Sequence, residues 1–281
     1  MKNYFRGWYI KCQNKNQTLA LIPAYHLANG EKTCSIQLIT DARSWNITFP
    51  ETELYIDDHC VEIAGNYFGR EGIRLDLQTP ELTAKGKLSF GAFSPIRYDI
   101  MGPFRYVPFM QCRHSIFSMK HSVAGHVEIN GTVYDFTDGT GYIEGDRGSS
   151  FPGEYLWTHC FFSEGSVMLS VADIPFCGFH FTGVISVVQF RGKEYRIATY
   201  LGARVAKLGD GEVTIKQGRR SLTARLLEAK GQALAAPESG SMKRIIRESA
   251  ACGASFSFRE GEKVLFSFVS DRASFEYEYL R

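Results

Sequence analysis

Val127-Glu128-Ile129-Asn130-Gly131-Thr132-Val133-Tyr134-Asp135-Phe136 decides the fold. Apolar and polar residues alternate into Asn130-Gly131 and out again. Asn-Gly between alternating runs marks a two-residue hairpin, because a type I′ turn needs positive φ at both central positions. The pattern recurs in both directions along the chain. Asn29-Gly30 separates runs at 20–26 and 34–40, Arg191-Gly192 separates 184–190 from 195–200, and Gly209-Asp210-Gly211 separates 203–208 from 213–216. Glu260-Gly261 parts 255–258 from 264–268, and the run at 274–279 sets Phe275, Tyr277 and Tyr279 against Glu276 and Glu278. Short strands at this spacing predict an all-β, antiparallel meander that closes into barrels or a sandwich, since closure removes exposed strand edges. Propensity permits a helix over 221–235, although Gly231 interrupts it. No βαβ rhythm occurs, so a dinucleotide fold is not expected. Gly139, Gly141, Gly145 and Gly148 precede no helical pattern and read as turn residues rather than a phosphate loop.

Composition excludes several classes. The 281 residues carry a formal net charge of +2 and no Lys/Arg block, which argues against nucleic acid. Hydrophobic residues at 44% allow a packed core, and the 14% aromatic share fits pleated surfaces. No apolar h-region follows Met1-Lys2 and no stretch of about 18 apolar residues occurs, so neither a secretory signal nor a membrane-spanning helix is expected. Seven scattered cysteines (12, 34, 60, 112, 160, 177 and 252) without a Cys-x-x-Cys pair fit free thiols in a cytoplasmic protein and argue against zinc. A Gly-x-Ser-x-Gly elbow is missing too, so a Ser/His/Asp hydrolase is not supported.

Two irregular segments break the meander. The first, at 90–109, carries Pro95, Pro103 and Pro108; the second, at 145–153, carries Asp146, Arg147 and Pro152. Long loops on a rigid sheet often carry function. The first also reads as a crossover between an N-terminal half, 1–120, and a C-terminal half, 121–281.

Four stretches resemble the tocopherol cyclase-like proteins, in family order along nearly the whole chain. They are Tyr4-Phe5-Arg6-Gly7-Trp8-Tyr9-Ile10-Lys11; Met101-Gly102-Pro103-Phe104 with Val107-Pro108-Phe109-Met110, Cys112 and His114; Gly141-Tyr142-Ile143-Glu144-Gly145-Asp146-Arg147-Gly148-Ser149-Ser150-Phe151-Pro152 with Tyr155 and Trp157; and Ala236-Pro237, Gly240, Met242, Arg244, Ile246 and Glu248-Ser249. The third is the most specific. Arg147 stands where the family usually has Trp, Gln111 and Arg113 where Glu and Tyr are common, and His159 where an amide is common. The resemblance implies two lipocalin-like β-barrel halves around an apolar cavity, akin to carotenoid hydratase-type proteins. It further implies cyclisation of a prenylated or other lipophilic substrate, which in the plant relatives gives a chromanol.

That chemistry protonates a trisubstituted alkene and captures the tertiary cation with a phenol oxygen. It requires an acid that is protonated near neutral pH, a dry pocket, and aromatic faces worth roughly 0.5–2 kcal/mol each to a nearby cation. It requires no metal or other cofactor. Asp146 is the first candidate acid and Glu144 the second; both lie on one face if the segment is extended, so the two carboxyls can share a proton. The competing reading makes Asp146 a turn residue paired with Arg147. His114 is a candidate relay or a structural histidine. Trp8 and Tyr9 fall on opposite faces of one strand, while Trp157 and His159 share a face. These four, with Tyr142, Arg113 and Arg147, are the candidate substrate contacts. Arg97, Arg105 and Arg113, among Phe93, Tyr98, Phe104 and Tyr106, offer a polar anchor or structural ion pairs.

Two further readings stay open: a lipocalin-like carrier of a lipid, quinone or pigment without chemistry, and an interaction module with a collapsed cavity. A protein that collects its ligand by transient contact with a membrane surface is expected to expose an apolar rim.

Overall fold

A computed structural model describes residues 3–108, 110–176, 178–228 and 231–279. Phe109 of the second family-like stretch and Cys177 lie outside the described residues, as do Met1 and Lys2. Among the described residues α-helix is absent and almost every element is an antiparallel strand. Among the described residues no helix is long and apolar enough to cross a membrane.

The first sheet is built from β1 (Tyr4–Gln13), β2 (Thr18–Ala28), β3 (Glu31–Thr40), β4 (Ser44–Pro50), β5 (Leu54–Ile56), β6 (Cys60–Ile63), β7 (Asn66–Gly69), β8 (Gly72–Gln78), β9 (Thr83–Phe90), β10 (Cys112–Ile129), β11 (Thr132–Asp135) and β12 (Gly139–Gly148). Its order is β4-β3-β2-β1-β12-β10-β9-β8-β7-β6-β5, with β11 on β10. The second is built from β13 (Tyr155–Phe162), β14 (Gly165–Phe176), β15 (Phe179–Phe190), β16 (Lys193–Ala198), β17 (Arg204–Gly209), β18 (Glu212–Gln217), β19 (Arg220–Leu226), β20 (Gln232–Glu238), β21 (Ser241–Glu260) and β22 (Lys263–Tyr277). Its order is β16-β15-β14-β13-β22-β21-β19-β18-β17, with β20 on β21.

The expected turn chemistry is present. Asn29 and Gly30 (φ 54° and 87°), Asn130 and Gly131 (47° and 79°) and Asp210 and Gly211 (52° and 71°) all hold positive φ at hairpin tips. Alternation then sorts the side chains: Ile73, Leu75 and Leu77 of β8 are buried while Arg74, Asp76 and Gln78 are exposed. Each sheet packs one face into its own apolar cluster. Ile10, Leu19, Leu21, Ile36, Leu38 and Ile143 belong to the first, and Leu156, Val167, Leu169, Val188, Phe256 and Phe275 to the second.

The chain divides into two compact units. One comprises Met1–Pro95, His114–Ser150 and Leu234–Ile245; the other comprises Ile96–Arg113, Phe151–Ala233 and Ile246–Arg281. This differs from a division at residue 120, which would cut β10 in mid-strand. The signature strand β12 lies in the first unit because it pairs with β1 over Phe5–Gln13. The segment Leu234–Ile245 joins that unit through Gln37, whose side chain both donates to the Ala235 carbonyl and accepts from its N–H, each at 2.9 Å.

Two local expectations are corrected. The segment 221–235 is not helical: most of its described residues fall into β19 and β20, and Leu222 and Ala224 of β19 alternate into the second cluster. The signature glycines at 139, 141, 145 and 148 are strand residues of β12 rather than a turn. At Gly141 a Cβ would stand 2.3 Å from Nε2 of His121, so this position permits close strand-to-side-chain approach. Cys12, Cys34 and Cys60 are free thiols. Burial raises the pKa of the Cys12 thiol, and burial with nearby Glu53 and Glu51 raises that of Cys34 to about 11.

Candidate active site

Because β12 is extended, Tyr142, Glu144 and Asp146 project from one face, and Gly141, Ile143 and Gly145 from the other. Ile143 takes the second set into the apolar cluster. On β1, Lys11 stands opposite Tyr142, Tyr9 opposite Glu144 and Gly7 opposite Asp146. The polar set therefore lies on the face turned away from the core. Tyr9, Lys11, Tyr142 and Glu144 are all buried there.

His114, near the start of β10, enters this face. Its Nε2 is 3.1 Å from Oε2 of Glu144 and its Nδ1 is 3.0 Å from Oδ1 of Asp146. Tyr142 donates its hydroxyl proton to the same Oε2 of Glu144. Nδ1 is hydrogen-bonded to Asp146, and Nε2 lies at ion-pair distance from Glu144, so two acidic groups flank the ring and favour its protonated imidazolium form. Burial disfavours that charge, but Glu144 and Asp146 outweigh it and raise the His114 pKa well above the usual 6.5. The Tyr142 phenol is likewise pushed well above its usual range, first by burial and then by Glu144. Side-chain exposure is 5% for Glu144, 10% for His114 and 22% for Asp146, so Asp146 is the member open to a ligand. The possible ligand atoms of the three lie within 4.8 Å of one another. Both ring nitrogens already meet carboxylate oxygens at hydrogen-bond distance, and the arrangement reads as an ion pair rather than a metal-ligand set.

The structure thus brings His114, Glu144 and Asp146 into contact, with Tyr142 and Tyr9 beside them. The turn reading of Asp146 is corrected: it sits in a strand and bonds His114, not Arg147. Trp8 is on the opposite face of β1, half-buried against the apolar cluster, with the Arg6 guanidinium 4.7 Å from its ring centroid. Arg147 is exposed and opposite Arg6. Arg113 donates to the carbonyls of Arg105 and Val107, both at 2.8 Å, and so fastens the 3-10 turn Gly102–Tyr106. Trp157 and His159 share a buried face of β13, as alternation requires, and belong to the second unit.

That second face holds residues sequence reasoning missed. Tyr155 donates to Oε2 of Glu276 at 2.5 Å, and Glu276 stands opposite Trp157 on one side and Glu248 on the other. Both glutamates are buried. Lys11 was also missed, although its place two residues after Tyr9 in a strand was a signal that it shares that face. His121 is structural: its ring lies 4.8 Å from those of Phe90 and Phe93 and its Nδ1 is 3.0 Å from Oγ of Ser118. Burial lowers its pKa to about 4.

No family model matches the sequence, and no curated protein matches it. Among solved structures the chain is similar to CghA, both alone and with Sch210972: the TM-score is 0.62 at 10% identity, covering 98% of this chain and 88% of that one. It is also similar to kievitone hydratase from Nectria haematococca, with a TM-score of 0.57 at 9% identity, covering 98% and 89%. At such identities the likeness establishes the fold alone. The tocopherol cyclase-like resemblance rests on the motifs.

Proposed function

We propose that this chain is a cofactor-independent acid–base enzyme that protonates an alkene of a prenylated or otherwise lipophilic substrate and closes a ring on the resulting cation. The observation that carries this reading is His114 held between Glu144 and Asp146. An imidazolium with two carboxylates stores a proton above neutral pH and leaves the cluster with one net negative charge. A site of that sign stabilises a transition state in which positive charge develops, as in alkene protonation, and opposes one that develops an oxyanion.

The His114 side chain is only 10% exposed and its Nδ1 is bonded to Asp146, so the ring acts through Asp146. The proton passes from Nδ1 to Oδ1 of Asp146, and the carboxyl of Asp146, the most open member, delivers it to the less substituted alkene carbon. The C–O bond then forms from a phenol oxygen to the tertiary carbon, and the phenol proton returns to the cluster. The sum is an isomerisation with no net gain or loss of protons. Capture of the same cation by water would be a hydratase reaction, the activity in the name of one similar structure. The motif resemblance favours ring closure.

The test begins with mass spectrometry of an organic extract of the purified protein, followed by incubation with a prenylated hydroquinone in D2O. Ring-closed product carrying one deuterium at the carbon next to the new ether carbon is expected. Asp146→Asn should lower turnover by about 10²–10⁴-fold while binding is retained. A ligand held at stoichiometry but returned unchanged after long incubation would instead make the protein a carrier.

A further inference from the structure

The β14–β15 hairpin carries a positive-φ glycine at its tip, Gly178 at 84°, as other hairpins among the described residues do, but differs in its flanking residues. Its neighbours turn on Asn29-Gly30, Asn130-Gly131, Arg191-Gly192 and Asp210-Gly211. This one is flanked by phenylalanines. Phe176 stands directly opposite Phe179, and Ile174 opposite Phe181. Alternation puts all four side chains on one face of the hairpin end. Phe179 is 77% exposed and Phe176 42%.

The stripe is continued by a second element of the same unit. Phe104, in the 3-10 turn Gly102–Tyr106, stacks on Phe181 with ring centroids 5.9 Å apart. Two residues on, Tyr106 is 78% exposed. The Arg105 guanidinium lies 5.2 Å from the Tyr106 ring centroid and 3.8 Å from Asp99. Arg97, in the same segment, is exposed as well. Exposed aromatic rings at a hairpin tip, with the Arg105 guanidinium beside Tyr106 and exposed Arg97 in the same segment, match the interfacial zone of a bilayer: the rings enter the boundary between headgroups and acyl chains while guanidinium groups meet phosphates.

We infer that Phe176, Phe179 and Tyr106, with Arg97 and Arg105, form a docking surface for a phospholipid bilayer. The inference stands apart from the acid–base reading, because it concerns attachment and uses none of the residues around His114. A second copy of this chain is a poorer occupant, since its own Arg97 and Arg105 would be brought against like charges if the tips met symmetrically.

The experiment is co-sedimentation of the full chain with phosphatidylcholine vesicles, with and without added phosphatidylglycerol. The wild-type chain should partition onto both, and more strongly onto the anionic ones. Phe176→Ser/Phe179→Ser should lower the partition coefficient about tenfold or more on both. Arg105→Gln should reduce only the increment due to phosphatidylglycerol. Phe179→Ser alone, at the more exposed ring, provides a milder variant, and matched thermal melts establish that the variants fold. The inference is overturned if the wild-type chain stays in the supernatant with both vesicles, or if the folded double variant partitions like the wild type. Self-association that the double variant abolishes, without vesicle binding, would assign the tip to a second copy instead.

Discussion

The two units carry buried polar faces made from nearly the same residue types, and they differ in what stands between the carboxyls. In the first unit Tyr142 donates to Glu144, and His114 bridges Glu144 and Asp146. In the second unit Tyr155 donates to Glu276, and the residue opposite Glu276 on β21 is another glutamate, Glu248. His159 shares that face but packs edge-on against Phe161, with ring centroids 4.6 Å apart. One imidazole, placed within 3.1 Å of two carboxylates, turns an acidic face into a store for one mobile proton. Residue inventory alone does not create an acid; contact does, because charge–charge coupling falls with distance and with the dielectric between the groups.

The comparison breaks first at His114. His114→Gln leaves two carboxylates facing each other without the cation. Turnover should fall by about 10²–10⁴-fold. Stability should fall by about 3–5 kcal/mol, the usual cost of removing one partner from a buried pair, read by urea denaturation at pH 6. Turnover close to wild type would mean that the bridge is structural.

The pH dependence of stability sharpens the contrast between histidines. The His114 pKa is raised in the folded state, so its contribution is fully present below about pH 6.5 and is lost as pH rises through the folded value. His26 and His121 are shifted the other way by burial, each to about 4. There the unfolded chain takes up protons first, so stability falls as pH drops from about 6.5 towards 4, on the order of 3 kcal/mol per ring. Denaturation midpoints across pH 4–9 should show both limbs. His114→Gln should lose the alkaline limb only, and His121→Phe should soften the acid limb.

Tyr142→Phe removes one hydrogen bond to Glu144 and keeps the ring. It should cost about 1.5–3 kcal/mol of stability and lower turnover by roughly tenfold, with His114 still protonated by two-dimensional NMR of its ring. The smallest effect belongs to the second face. Glu276→Gln should change turnover by less than about threefold, as for a site outside the chemistry. A collapse of turnover in that variant, with an unchanged melt, would show that both faces serve the reaction.

Much of this was legible before any coordinates. The hairpin dipeptides fixed the tips, alternation fixed which residues share a face, and the signature strand presented Glu144 and Asp146 two residues apart, with His114 already a candidate beside them. The chain did not reveal that Arg113 fastens a turn, that Arg147 is exposed, or that Trp8 leaves the face on which Tyr9 sits with Glu144. Period-two alternation gives two faces without saying which is wet: Glu276 alternates with Phe275 and Tyr277, yet it is buried. Helical propensity at 221–235 yielded to strand pairing because Leu222 and Ala224 find apolar partners only as a strand.

Local rules acting over two to four residues determined the strands, their turns and their side-chain parity, since steric limits on φ and ψ operate at that range. Tertiary structure decided the rest. Pairing of β1 with β12, across more than a hundred residues, placed the signature strand in the first unit and set Tyr9 opposite Glu144. The path of β10 then carried His114 to both carboxylates, a contact between distant residues that no local preference encodes.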